Sequence, residues 1–417
     1  MSTVPVTAHG TVDGGLRQRA GKVVPGGMYG HLSVANLPAD YPQFFARGQG
    51  ARIWDVDGNE FVDLMCSWGP MLLGHAHPAV DAAAKAVIDR GDVLNGPASE
   101  MVDLAERLVE NVSHADWAMF AKNGNDVTTL AIVVARAATG RRKVLVAAGA
   151  YHGIAGWSLA ADAVGMTPQD HANTIFFEYN DLDSVEAAVD LAGDDLAAIV
   201  VTPIRHDLYR DLEAPEPEFA RGLRTICDRA GAALVIDDVR CGLRLDTRGS
   251  WESLGVRPDL SAWSKSLANG HPLAALMGNE AMRDAARRVL ATGSFWLGAA
   301  PMAAALATLD ELERTDAIGK MRAAGRRLQD GLVTQGVAHG LQVTVSGPPQ
   351  LPFMTFTGDA TFERAGLWAG ACAHNGVYLH PVHNWFVSAA HDDDTIDRAL
   401  DATDEAFALV RDTFGAD

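Results

Sequence analysis

The sequence predicts an α/β protein with a mostly parallel sheet covered by helices on both faces and one or two smaller lobes. Three observations predict it. The chain's 417 residues exceed what one hydrophobic core usually supports. From about Ala79 to Gly298, strand-like and helix-like stretches alternate, the pattern of a sheet buried between helices. The segment 233–237, Ala-Leu-Val-Ile-Asp, is an unbroken apolar run ending on a carboxylate, as a strand buried on both faces reads.

The elements follow in order. Residues 1–25 are polar and Gly-rich and read as a loose arm. Residues 26–78 are short and β-like, with a hairpin signalled by Asp57-Gly58 between alternating apolar residues. Val102, Leu104, Ala105, Leu108 and Val109 fall on one face of a helix over 100–110. A second helix runs from about Val127 to Ala138 and stops at Gly140. Strands are predicted at 143–147, 197–201 and 233–237. Long helices follow Met302, then a β/α lobe with strands at 341–345, 352–357 and 376–380, and a closing helix over 394–411. The chain shows no internal repeat and no low-complexity linker.

Composition narrows the function classes. A formal net charge of −19 argues against nucleic acid or an anionic membrane surface as partner. Cys66, Cys227, Cys241 and Cys372 are scattered without a CxxC pair, which suggests neither a zinc site nor a disulfide framework. The N-terminus lacks a signal-peptide pattern and no apolar run approaches ~18–20 residues. A soluble cytoplasmic protein with no membrane partner is the expectation.

The chemistry centres on Lys265. It lies in the small-residue segment Ser264-Lys265-Ser266-Leu267-Ala268, 28 positions after Asp237 at the end of an apolar strand. Taken alone, the two read as a strand-end acid and a surface lysine. Pyridoxal phosphate chemistry requires such a pair, a lysine for an imine and a buried carboxylate to keep the pyridine nitrogen protonated. Desolvation lowers a lysine's pKa and makes its amine nucleophilic near neutrality. Asn123-Gly124-Asn125 opens a helix, where backbone N–H groups can cradle a phosphate, though such a loop alone is more often an ordinary N-cap. Tyr151 follows the next strand, where an aromatic can stack on a flat ring, and Val239 shares a side of the extended chain with Asp237. Gly293-Ser294 is a second phosphate candidate.

These segments, in this order, resemble the class III, fold-type-I pyridoxal phosphate enzymes, in the branch that contains glutamate-1-semialdehyde aminomutase and related aminotransferases. The likeness spans about Gly26 to Val410. It includes Asp55-Val56-Asp57-Gly58, Ser67-Trp68-Gly69-Pro70, Gly74-His75-Ala76-His77-Pro78, Tyr151-His152-Gly153, Asp237-Asp238-Val239-Arg240-Cys241-Gly242, Gly376–Pro381 and Ser388–His391. The resemblance implies a large domain over 76–300 with a mostly parallel seven-stranded sheet between helices. It also implies a smaller α+β domain built from an N-terminal arm and segment over 1–75 and from 301–417. It implies pyridoxal 5'-phosphate as cofactor, with Lys265 forming its imine and moving the substrate proton, and Asp237 pairing with the ring nitrogen. Gly124 and Asn125 would donate to the phosphate, Tyr151 and Val239 would sandwich the ring, and Ser294 would reach the phosphate of the neighbouring subunit. A homodimer with shared active sites follows.

Departures concentrate on the substrate side. Asn123-Gly124-Asn125-Asp126-Val127 replaces a hydroxyl-bearing phosphate loop, and Asp237-Asp238-Val239 stands for Asp-Glu-Val. The preceding strand ends in Thr202-Pro203-Ile204-Arg205-His206 where the family has Glu-Pro, which loses a carboxylate and offers two cations. Trp296 enlarges the segment 293–301. Candidates for the substrate are Arg205, His206, Arg240, Trp68 and the Tyr29-Gly30-His31 loop, each with a structural alternative. Trp385, like Trp68, could wall the pocket, with core packing as the competing reading, whereas His380 and His391 read more simply as structural histidines and the His75/His77 pair as a loop motif rather than a metal chelate.

The leading expectation is an aminotransferase moving an amino group between an amino acid or related amine and an oxo acid or aldehyde. An isomerase on the same scaffold, either an aminomutase or an amino-acid racemase or epimerase, is the alternative. A cofactor-binding protein without catalysis is a third reading, opposed by the presence of both Lys265 and Asp237.

Overall fold

The computed structural model describes residues 11–38, 41–160 and 162–416. The chain opens on helix α1 (Thr11–Ala20), then strands β1 (Phe45–Gln49), β2 (Arg52–Asp55) and β3 (Glu60–Asp63), and helices α2 (Pro78–Ile88) and α3 (Ser99–Asn111). Strand β4 (Trp117–Ala121), helix α4 (Gly124–Thr139) and strands β5 (Lys143–Ala147) and β6 (Thr174–Phe177) follow. Next come α5 (Leu182–Ala192), β7 (Leu196–Val201), α6 (Pro217–Ala230), β8 (Ala233–Asp237), β9 (Leu260–Trp263) and β10 (Ala274–Gly278). The remainder is α7 (Glu280–Arg288), α8 (Ala299–Thr315), α9 (Ala317–Ala338), β11 (Val343–Ser346), β12 (Phe353–Phe356), α10 (Glu363–His374), β13 (Val377–Tyr378) and α11 (Asp393–Phe414).

Seven strands form the main sheet in the order β4-β10-β9-β8-β7-β5-β6. Only β10 runs against the rest. The strands are apolar on both faces because both faces are covered. In β7, Ala198 and Val200 pack on the side of α4 and α7, while Ile199 and Val201 pack with α5 and α6. Each such buried Val or Ile contributes roughly 1.5–3 kcal/mol. Consecutive strands β4 and β5 are separated by four others. That break in strand order opens a crevice at the carboxyl ends of the strands, where ligands bind in open α/β sheets.

The β2–β3 hairpin turns at Asp57-Gly58, and its sheet is completed by β13 running parallel to β3, so that chain ends far apart in sequence share one sheet. Strands β11 and β12 form a separate pair.

One expectation is corrected here. Residues 11–20 of the expected loose arm form α1, while residues 1–10 lie outside the described residues. Asp57, in the hairpin turn, accepts the N–H groups of Val12 and Asp13 at 3.0 and 3.1 Å and satisfies the start of this helix. Asp13, buried, accepts from the N–H groups of Gln43 and Phe44 at 3.1 and 3.0 Å. The helix is docked by polar contacts, which leave no apolar periodicity to read. Among the described residues no helix is long and apolar enough to cross a membrane, and no cluster of His, Cys, Asp and Glu is arranged to hold a metal ion.

Candidate active site

The carboxyl ends of β4, β5, β7, β8 and β9 deliver their following loops to one cavity of about 960 Å³. Lys265, Asp237, Gly124, Asn125, Tyr151, Val239, Trp68 and His206 all line it. Arg205, Ser294 and Tyr29 do not. Tyr29 is 70% exposed, Ser294 is also exposed, and the side chain of His31 lies outside the described residues.

Lys265 follows β9 at the start of a short 3-10 turn with φ +48°. Its Nζ donates to the carbonyl of Trp68 at 2.9 Å. Trp68 closes a run of three left-handed non-glycine residues, Cys66, Ser67 and Trp68, with φ of 47, 53 and 67°. Such backbone costs of order 1–3 kcal/mol per residue and persists only where its surroundings enforce it. Here Asp63 Oδ1 accepts the N–H groups of Met65 and Cys66, both at 2.9 Å, and anchors the run. Burial, reinforced by the nearby Arg240 cation and opposed by Asp237, lowers the Lys265 amine to a pKa of about 7. A large neutral fraction at physiological pH follows.

Asp237 ends β8 and is 5% exposed. His152 Nδ1 meets its Oδ2 at 2.7 Å and the Val239 N–H donates to Oδ1 at 3.1 Å. The His152 ring stacks on Trp157 at 5.8 Å and 25°, and its Nε2 is buried with no partner. The network therefore assigns the ring proton to Nδ1, donated to the carboxylate.

The start of α4 is built for close approach. The Asn123 N–H donates to Asp126 Oδ2 at 2.9 Å, leaving first-turn N–H groups that no helical carbonyl reaches. A Cβ on Gly124 would stand 2.9 and 3.0 Å from the two methyls of Val239. Asn125 turns its amide oxygen to the N–H groups of Ile154 and Ala155, at 2.9 and 3.1 Å, and so clamps the loop after Tyr151 onto the helix. Gly153, at φ +117°, makes room for it, since a Cβ there would come within 2.4 Å of Asn125 Oδ1.

The two cations expected from Arg205 and His206 are corrected. Arg205 Nε donates to Asp207 Oδ2 at 2.8 Å, and Glu213 lies 3.5 Å from its guanidinium. Asp207, not Arg205, faces the cavity, so a carboxylate stands at this wall after all. His206 is buried, with Nδ1 bonded to the Ile204 carbonyl at 2.7 Å, and burial followed by the Arg240 charge holds its pKa well below 6.5. It is neutral.

The family model described as aminotransferase class-III matches residues 35–402. An aminopentol aminotransferase from Sphingopyxis macrogoltabida is 47% identical over 403 residues, covering 97% of this chain and 95% of that protein. A glutamate-1-semialdehyde 2,1-aminomutase from Syntrophobacter fumaroxidans is 33% identical over 425 residues, covering 95% and 97%. The solved pyridoxal phosphate internal aldimine form of the Sphingopyxis sp. MTA144 FumI protein superposes with a TM-score of 0.95 at 47% identity, covering 97% of this chain and 98% of that one.

The chain belongs to the class III aminotransferases. It has the fold-type-I architecture and is a pyridoxal phosphate-dependent aminotransferase. The cavity fits that cofactor: a helix start suited to a phosphate, a buried carboxylate held by His152, and a lysine whose amine is bonded only to a carbonyl. Sequence reasoning on this class III enzyme missed three cavity groups. His152 was in view beside Tyr151, but nothing in the sequence tied it to Asp237. Asp207 shares its irregular segment with Arg205 and His206, where residue type alone does not tell which side chain faces the cavity. His383 lies in an irregular stretch after β13, without a periodic signal.

Proposed function

We propose that the enzyme transfers the amino group of an aliphatic, hydroxyl-bearing amine, of the kind named for its aminopentol relative, to an oxo acid. When bound, the cofactor supplies an electron sink for the carbon that carries the amine. Lys265 Nζ, near neutrality and steered by the Trp68 carbonyl, would attach the cofactor and, once released, take and return the proton at that carbon, general acid–base work worth roughly 10²–10⁴-fold. Asp237, positioned by His152 and the Val239 N–H, would hold the ring nitrogen's proton. First-turn N–H groups of Gly124 and Asn125 would bind the phosphate, with Tyr151 and Val239 against the ring.

Exposed Phe176, Leu208 and Tyr209 at the rim favour a substrate with a carbon chain. Arg205 is assigned a structural role with Asp207, and Tyr29 none within a single protomer. A homodimer is supported by exposed Val93, Leu94, Leu290, Phe295 and Leu297. They flank the junction where Asp92 accepts the N–H groups of Ala299 and Ala300, at 3.2 and 2.7 Å, and Ser294 would serve the partner's phosphate from this surface. The division at about residues 75 and 300 belongs to the same proposal, as does a cytoplasmic location.

The observation that carries the reading is the meeting of a depressed-pKa Lys265 and a braced Asp237 in one cavity. Incubating holoenzyme with an isotopically labelled amine and an oxo acid tests it, and label must appear in the new amino acid. The aminomutase relative favours a second reading, an intramolecular exchange, in which label stays in one molecule and no oxo product accumulates.

A further inference from the structure

Two buried arginines flank the site, and they differ. Arg244 donates through both terminal nitrogens to carbonyls, of Val387 at 2.6 Å and Gly69 at 2.7 Å, keeps only its Nε unpaired, and does not line the cavity. Arg240 lines the cavity, is 8% exposed, and bonds only the amide oxygen of Asn384. Asn384 donates its own Nδ2 to the Trp385 carbonyl at 2.8 Å, which fixes the amide with its oxygen toward Arg240. No carboxylate of the described residues is in ion-pair contact with Arg240. Its other guanidinium N–H groups have no partner in the protein and are not sealed off, so they open on the cavity.

Asp237 and Asp207 favour the Arg240 charge, but neither is in ion-pair contact with it, and Asp237 is committed to His152 and the Val239 N–H. Asp207 is committed to Arg205. His206 and His383 bond carbonyls through Nδ1, at 2.7 and 2.6 Å, and burial keeps both neutral. Burial lowers Arg240 itself to about 10, still cationic at pH 7. A buried cation without an anion is costly. The Arg240 guanidinium carbon and Lys265 Nζ each lie 6.0 Å from the centre of the Phe386 ring, and after burial the Arg240 charge is the largest influence on the Lys265 amine.

We infer that Arg240 is the carboxylate-recognition residue for the oxo-acid acceptor, with Asn384 positioning its guanidinium fork beside Lys265. This rests on the aminotransferase reading above. It explains how a cavity suited to a carbon-chain amine also selects an acid: the acid's carboxylate takes the two N–H groups that the amine leaves idle.

The test is a titration of holoenzyme with propionate, an unreactive carboxylate, and with neutral propionamide, followed through the absorbance of the bound cofactor. Arg240→Gln should weaken propionate by about 10- to 100-fold relative to propionamide, the value of a charge-assisted hydrogen bond. Arg240→Lys, which keeps charge but loses the fork, should fall between. The KM for an oxo acid should rise against that for an aldehyde of the same length by a similar factor. Unchanged propionate affinity overturns the inference, as does equal weakening of both probes. It is also overturned if propionate binding is unaffected while the pH titration of the cofactor absorbance moves, since Arg240 would then serve the cofactor's ring oxygen. Wild-type enzyme that binds propionate through Arg240 yet moves no amino group would overturn the aminotransferase reading and leave the anion site standing.

Discussion

Replacing His152 isolates how much of the site's reactivity depends on the bracing of Asp237. The His152 Nδ1–H donates at 2.7 Å to a carboxylate, and both residues are nearly sealed, at 2% and 5% exposure. A hydrogen bond to a charged group in such surroundings is worth roughly 1.5–3 kcal/mol, which corresponds to about 10- to 100-fold in rate. His152→Phe keeps a flat ring against Trp157 and removes the donor. His152→Asn gives up the ring but places an N–H near the position of Nδ1. In a single-turnover half-reaction with a good amine donor, the Phe variant should slow by that factor and the Asn variant should recover most of it. The pH midpoint of the bound cofactor's absorbance should move in Phe and not in Asn. Equal losses in the two variants would show that packing, not donation, is what His152 supplies. Wild-type rates in the Phe variant would show that Asp237 needs no brace.

Three further outcomes follow from the site. Capture of cofactor by apoenzyme requires the neutral Lys265 amine, so its rate should climb with pH through about 7 and level off, whereas an ordinary lysine would still be climbing toward about 10. The same depressed pKa makes the unfolded chain bind more protons between about 7 and 10.5, so apoenzyme stability from this group should increase with pH across that window. Stopped-flow capture and denaturant titrations read the two effects, and a capture midpoint near 10 would refute the site electrostatics. Gly124→Ala gains up to about 1 kcal/mol of helix propensity but drives a Cβ to 2.9 Å from Val239, an overpacking cost of typically 1–3 kcal/mol. A lower Tm and weaker cofactor binding by fluorescence titration are expected, and a higher Tm with unchanged binding would contradict the close approach.

What the sequence discloses depends on whether the stabilising interaction is periodic. Strand β8 was legible because five consecutive buried residues and a terminal carboxylate leave few other readings, and the hairpin was legible from Asp57-Gly58. Helix α4 begins earlier than its apolar pattern, at Gly124 rather than Val127, because its first turn is fixed by Asp126 and by the loop clamped through Asn125. Helix α1 was illegible because Asp57 and Asp13 dock it through polar contacts 30 and more residues away in sequence. In the cavity, residues flanking strand ends could be nominated by type, yet their pairing could not. Arg205 reads as a cation until Asp207 is found at 2.8 Å. Arg240 was only one of several candidate cations until its lack of a carboxylate partner set it apart.

The most direct measurement on the central claim is a half-reaction of purified holoenzyme with a panel of primary amines, run beside Lys265→Ala, with cofactor absorbance and released product followed together. The account predicts that the wild type converts its cofactor to the amine-bearing form while releasing one equivalent of oxo product, and that Lys265→Ala keeps cofactor but does not turn over. Proton exchange at the amine carbon without oxo product, or undiminished turnover in Lys265→Ala, would contradict it.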